Sequence, residues 1–323
     1  MNKKMIYLAA LINAATQQIN VPQTYSTKFK TSGNAYLSPT ERIRVDELAD
    51  HFVVAGIVGR NEILPILGKD GFSTIEFAPD IIGGQFTYTP TDVIQLQAGV
   101  PTYTKDGSVI ESAKALEVKY AKVARAAIAN KFERQCAEVY LKGTYTGEDK
   151  KPLTVGKKEN KTLTLTDKKC SDEIIKLFLD YRKKFNVSPK MEVGMSVFNK
   201  IKNEANDSNQ NINGVKFQMG DIPKLTIGNL VIEMLEDTKG PNGDLIDTSK
   251  TIILSDPKGL AVGYGCLQYG DIKTNESKLI KAEMIAGELR VEETSGQKGI
   301  WAKSAPMPII LTLDKFIRYT VTL

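Results

Sequence analysis

The sequence predicts an α+β protein built around one long helix, with extended segments before it and a mixed body of helices and strands after it. Three observations predict this class. Residues 112–141 hold neither glycine nor proline and repeat apolar side chains at helical spacing. Residues 66–110 instead break short β-type runs with glycines. Residues 171–323 alternate two amphipathic stretches with several strand-like runs. The chain has 323 residues, 41% of them hydrophobic, enough to bury a sizeable core.

Residues 1–45 read as an N-terminal arm. They carry an apolar patch at 6–12, many polar residues, Pro22 and Pro39, and no sustained period. Lys3, Lys4, the apolar run 5–12 and Ala14-Ala15 imitate a signal peptide, but the apolar core is short and Asn13 interrupts its exit. A segment of this composition buries too little surface to offset its ordering entropy. It is expected to order by lying on something else, such as a neighbouring subunit. Residues 46–64 lead into a folded body, with Phe52, Val53, Val54, Ile57 and Val58 read as strand.

Within 66–110, Gly68, Gly71, Gly83, Gly84, Gly99 and Gly107 separate the runs 72–77, 85–89 and 93–97. This pattern suits a two-stranded excursion with little core of its own. Such a hairpin is marginal in water and calls for a clamp from another subunit. In 112–141, Leu116, Tyr120, Val123, Ala127, Phe132, Cys136, Val139 and Tyr140 recur at steps that suit one helical face, and Gly143 follows as a stop. At 1.5 Å per residue the helix is about 45 Å long, a strut rather than a packing unit.

After a Lys-rich turn at 148–151 and a strand-like 163–165, residues 171–185 place Ile174, Phe178, Tyr181 and Phe185 on one helical face, with Ser171 as N-cap. A further helix spans 196–205 and a polar loop 206–214. Strands are expected at 226–235, 251–255, 259–268, 288–293 and 309–323, with a turn at 240–243.

Chemistry is sparse. The chain has one histidine, His51, which weakens every triad or histidine–metal arrangement together. Cys136, Cys170 and Cys266 are too widely spaced for a metal knuckle or a disulfide framework, and reduced thiols are the default. Gly263, Gly265 and Gly270 have the wrong spacing for a dinucleotide loop, and residues 68–71 lack the Lys-Ser/Thr pair of a phosphate loop. The acidic pairs Asp46/Glu47, Glu148/Asp149 and Glu292/Glu293 have no partners at catalytic spacing and read as solvated surface. A net charge of +5 is small for a nucleic-acid reader. No run reaches the roughly 20 apolar residues of a membrane span. The Lys-rich 150–169 reads as a solvated loop. No catalytic, cofactor or metal site is predicted, and the architecture of arm, loop, strut and body suits interlocking with copies of itself.

Several strings then carry a family likeness. Residues 73–79 (STIEFAP), 141–146 (LKGTYT), 256–260 (DPKGL) with 263–268 (GYGCLQ), and 301–308 (WAKSAPMP) with 316–319 (FIRY) occur in that order. Together they resemble the capsid proteins of lambda-like tailed bacteriophages, the phage capsid E family, over about residues 45–323. That resemblance implies the Hong Kong 97 capsid fold and a major capsid protein, with no enzymatic role. It implies an N-terminal arm at 1–45, a peripheral domain in three parts (46–65, 109–170 with the spine helix, and 284–323), an extended loop at 66–108 and an axial domain at 171–283.

It also implies pentamers and hexamers closing into an icosahedral head around packaged DNA held in weak nonspecific contact. A decoration protein, a scaffold and a portal would be partners, and assembly would take place in the bacterial cytoplasm. Phe72, Ile75, Phe77, Phe86, Tyr88 and Tyr103 are the expected apolar anchors of the loop on a neighbouring subunit. Competing readings are an encapsulin-like compartment protein, which shares the fold, and a tail-tube or decoration protein, which rarely carries such a strut.

Overall fold

The computed structural model describes residues 23–31, 35–47, 73–92, 112–147, 152–154, 160–165, 170–206, 215–220, 222–240, 243–271, 276–290 and 297–322. Among them are the helices α1 (Thr24–Thr31), α2 (Ser112–Lys142), α3 (Cys170–Phe185) and α4 (Met195–Asn206). The largest sheet has seven strands in the order Asn160–Thr164, Ile317–Thr322, Thr251–Ser255, Lys190–Gly194, Leu230–Leu235, Lys224–Ile227 and Val215–Gln218. The predicted strand at 251–255 is therefore central, and the one predicted at 226–235 is two strands joined at Gly228, whose φ is 59°.

Alternation along these strands divides the interior into two cores. Ile252 and Leu254 face α3 and α4, with Ile174, Tyr181, Val197, Phe198 and Ile201. Ile253 faces the other way, towards Phe29, Phe132, Cys136, Tyr140 and Phe316. The predicted apolar face of α3 is thus the one that packs: Ile174 and Tyr181 are buried, and Phe178 and Phe185 are partly buried. Ser171 plays a different part from the expected N-cap. Its backbone N–H and hydroxyl both donate to the Glu204 carboxylate of α4, each at 3.0 Å, tying the two helices together.

A second, three-stranded sheet (Ile285–Arg290, Lys298–Ser304, Ile82–Tyr88) lies on α2. A third runs Ala35–Leu37, Leu260–Tyr264, Pro306–Ile310, its first pair parallel. Gly263 in its middle strand reads as a packing glycine, because a Cβ there would lie 2.8 Å from Ile43 Cδ1.

Two runs inside the expected extended loop, 66–108, find strand partners outside it. Ser73–Phe77 pairs with Ile43–Glu47, and Ile82–Tyr88 pairs with Lys298–Ser304. The second pairing buries Tyr88 and partly buries Phe86 against α2, which a free hairpin could not do. The run 93–97 and the strand read at 52–58 lie outside the described residues. Segment 284–323, expected as the closing strands of the peripheral domain, runs through three sheets. Ile285–Arg290 and Lys298–Ser304 stay on α2, while Ile317–Thr322 enters the seven-stranded sheet. Its alternate residues require that position, since Ile317 and Val321 fill the core under α3 and Arg318 on the opposite face reaches the end of α2.

Candidate assembly surfaces

Helix α1 comes from the segment expected to be an arm, and it packs on its own chain. Eight residues are too few for a stable isolated helix. Tyr25 and Phe29, four apart on one face, are fully buried against α2 and the third sheet. The N–H groups of Tyr25 and Ser26 donate to the Glu133 carboxylate at 2.7 and 2.8 Å, so a side chain of α2 satisfies the first turn of α1.

Lys28 completes the attachment with a buried ion pair to Glu192 at 2.9 Å. Glu192 also accepts the Tyr140 hydroxyl at 2.7 Å and pairs with Lys190 at 3.0 Å. Lys190 continues to Glu233 at 2.8 Å, and Lys224 closes the chain on Glu233 at 2.7 Å. Burial alone would raise the Glu192 pKa, but Lys28 and Lys190 hold the carboxyl below its ordinary value and keep it charged. Burial drives Lys28 the other way, below the usual lysine range despite Glu192 beside it. Three lysines and two glutamates thus alternate along one line, with each carboxylate held between two cations.

The far end of α2 is fastened as firmly. Gly143 takes φ 71° and its N–H bonds to the Val139 carbonyl at 2.9 Å, the expected left-handed stop. Arg318 Nε and Nη2 donate to the carbonyls of Tyr140 and Val139, both at 2.8 Å, and the guanidinium lies over the Phe316 ring. Burial lowers the Arg318 pKa to about 10, so it remains a cation at the negative end of the helix.

The six expected loop anchors fall in different places. Phe72 and Tyr103 lie outside the described residues. Ile75 sits on the strand paired with Ile43–Glu47, opposite Val45. Phe77 packs against the main core and Phe86 stacks on Tyr120 at 5.4 Å with planes 6° apart. Tyr88 is 4% exposed and donates to Glu117 at 2.8 Å. Phe77, Phe86 and Tyr88 therefore spend much of their ring surface inside the chain.

Other apolar side chains are open to solvent instead. Ile81 is 60% exposed, Leu179 54% and Val231 48%, with Tyr36, Leu37 and Leu279 alongside. Alternation in the sequence marks such residues as apolar, but nothing in it tells which face of a strand or helix goes uncovered.

For covalent or metal chemistry the described residues offer little. No group of three or more histidine, cysteine or acidic side chains stands close enough to hold a metal. The three cysteines are buried and free. Burial pushes the Cys170 thiol up to about 12 and Cys136 well above its usual value, the opposite of an activated nucleophile.

Comparison with known proteins gives this arrangement a context. The family described as phage major capsid protein E matches residues 7–321. A prophage protein of Escherichia coli CFT073, described as a capsid protein, shares the fold at a TM-score of 0.55 and 14% identity, over 98% of this chain and 99% of that one. A chain from Microbacterium phage Oxtober96 aligns at 0.48 and 10% over 97% and 98%. An encapsulin from Synechococcus elongatus PCC 7942 aligns at 0.45 and 11% over 97% and 94%. No curated protein matches the sequence. The fold is the Hong Kong 97 type.

Proposed function

The chain belongs to the phage major capsid protein E family, a structural protein of the capsid shell and not an enzyme, and we propose that its copies join as pentamers and hexamers into an icosahedral head. The observation that carries this reading is a strut fastened at one end inside a two-sided core, with apolar surface left open around it. In the proposed division, α3, α4 and the strands between 190 and 255 form the axial part, and α2 with its three-stranded sheet the peripheral part. Segments 66–72 and 93–108 of the extended loop then reach a neighbour, with Phe72, Ile75 and Tyr103 as leading anchors. Phe77, Phe86 and Tyr88 support them by holding the base of the loop to the body. Expansion of the head is a rigid-body rotation of subunits driven by newly buried area.

A decoration protein, a scaffold and a portal complete the proposed partners, and packaged DNA makes weak nonspecific contact, in keeping with a net charge of only +5. Assembly in the bacterial cytoplasm agrees with three free, buried cysteines. The double variant Phe72→Ser, Tyr103→Ser tests the loop. It removes two proposed anchors and leaves the sheet on α2 intact. The purified variant should keep its circular dichroism and thermal transition while closed particles in negative-stain micrographs fall at least tenfold. Undiminished particle yield would sink the loop assignment.

A further inference from the structure

A groove of about 510 Å³ runs between α3 and the hairpin of Lys224–Ile227 and Leu230–Leu235. Ile175, Phe178, Leu179, Leu230 and Val231 form its apolar wall. Leu179 from the helix and Val231 from the hairpin are 54% and 48% exposed. Arg182 stands exposed at the rim, three residues beyond Leu179 and so on the same helical face, about 5–6 Å from it at Cβ. The acid in the lining, Glu233, is already held by Lys190 at 2.8 Å and Lys224 at 2.7 Å. This groove therefore suits an apolar side chain with a carboxylate beside it.

Another face of the same chain presents such a pair. Thr238–Lys239 and Leu245–Ile246 form a short hairpin. Its tip is tight: the Gly240 N–H donates to the Asp244 carbonyl at 2.7 Å, and the N–H of Gly243, at φ 91°, to the Gly240 carbonyl at 2.9 Å. The Asp237 carboxylate closes the base by accepting the N–H and hydroxyl of Thr248 at 2.8 and 2.9 Å. Ile246 is buried, while Leu245 on the alternate face is 67% exposed. Asp247, two residues on and so about 7 Å along an extended chain, is exposed as well. Bonds from Ser249 hold its carboxyl below the usual range and keep it charged. Asp244 and Asp247 outnumber Lys239, which stands across from Leu245. Leu279, also open to solvent, lies instead between Lys278 and Lys281 and would bring like charge to Arg182. Ile246 belongs to the core on the α2 side of the seven-stranded sheet, Phe178 and Leu230 to the core on the α3 side. We infer that Leu245 of one copy seats against Leu179 and Val231 of the next, with Asp247 on Arg182. Unlike surfaces joined in this way run head to tail and close into rings, so the contact rests on the capsomer reading and supplies its joint. The tightness of the hairpin means that little order is left to impose on docking.

The test uses the full-length protein in assembled particles. Asp244→Cys with Asn229→Cys places thiols beside the knob and at the groove, leaves Leu245, Asp247 and the apolar wall in place, and adds to native cysteines that are buried. A short bis-maleimide should join chains into a ladder that ends at the ring size on a denaturing gel. Particles without the link, or a link within one chain, overturn the contact and leave the capsomer reading standing. Wild-type chains that form no rings overturn both. Charge reversal is the second arm. Arg182→Asp or Asp247→Arg alone should lower the yield of closed particles about tenfold with an unchanged thermal transition, and the two together should restore it. No loss in the single variants, or no recovery in the pair, overturns the contact.

Discussion

The two halves of α2 share one helix and live in different surroundings. In the first half, Ala121, Ala124 and Ile128 are buried beneath the three-stranded sheet, while Lys119, Val123 and Ala127 face solvent. In the second half every described residue from Phe132 to Leu141 is buried or nearly so, including Glu133, Gln135 and Glu138. An amphipathic half needs one apolar stripe. A half buried all round needs a partner for each polar group it carries. It has them. Glu133 caps α1, Gln135 Nε2 donates to the Tyr145 hydroxyl at 3.1 Å, and Glu138 accepts the Thr146 N–H at 2.9 Å. Surface lost from water on one side of the junction is recovered by packing, and on the other by charge-assisted hydrogen bonds.

The buried end should be the sensitive one. Arg318→Met removes the side-chain donor of the Tyr140 carbonyl and leaves the Val139 carbonyl with the Gly143 N–H alone, so two charge-assisted bonds disappear in a buried site. A loss of about 3 kcal/mol is expected, read as a lower urea midpoint of the unassembled chain. Glu133→Gln keeps the shape and halves the capping, with an expected loss of about 1–2 kcal/mol and faster hydrogen exchange confined to α1. If both ends of α2 yielded equally, the contrast between the halves would be wrong. Lys119→Ala on the exposed face of the first half should change stability by less than about 0.5 kcal/mol, with an unaltered thermal transition. A larger change there would show that the outer face of the strut is covered in the free chain.

Much of this was legible from the residues. The helix at 112–141 was found to within a residue, because thirty positions without glycine or proline and with high propensity admit little else. The stripe of α3 was found because Ile174, Phe178, Tyr181 and Phe185 all point one way. The stripe of α2 holds at Leu116, Tyr120, Phe132, Cys136, Val139 and Tyr140 and fails at Val123 and Ala127, which are exposed, while Ala121, Ala124 and Ile128 pack under the sheet. The anchors of the loop were harder still. Phe86 and Tyr88 carry the same alternation whether they meet a neighbour or their own helix.

The sequence by itself determined the class, the long helix, the strand-rich body and the absence of catalytic spacing, since all of these rest on local composition and period. The tertiary structure decided what each apolar face meets: that Tyr25 and Phe29 fill the chain's own core, that Ile82–Tyr88 lies on α2, and that Ile317–Thr322 stands in the seven-stranded sheet. These contacts join residues distant in the chain, Tyr88 and Glu117 being 29 positions apart and Tyr25 and Glu133 108. No local pattern encodes which of several equally apolar partners will be nearest once the chain has closed.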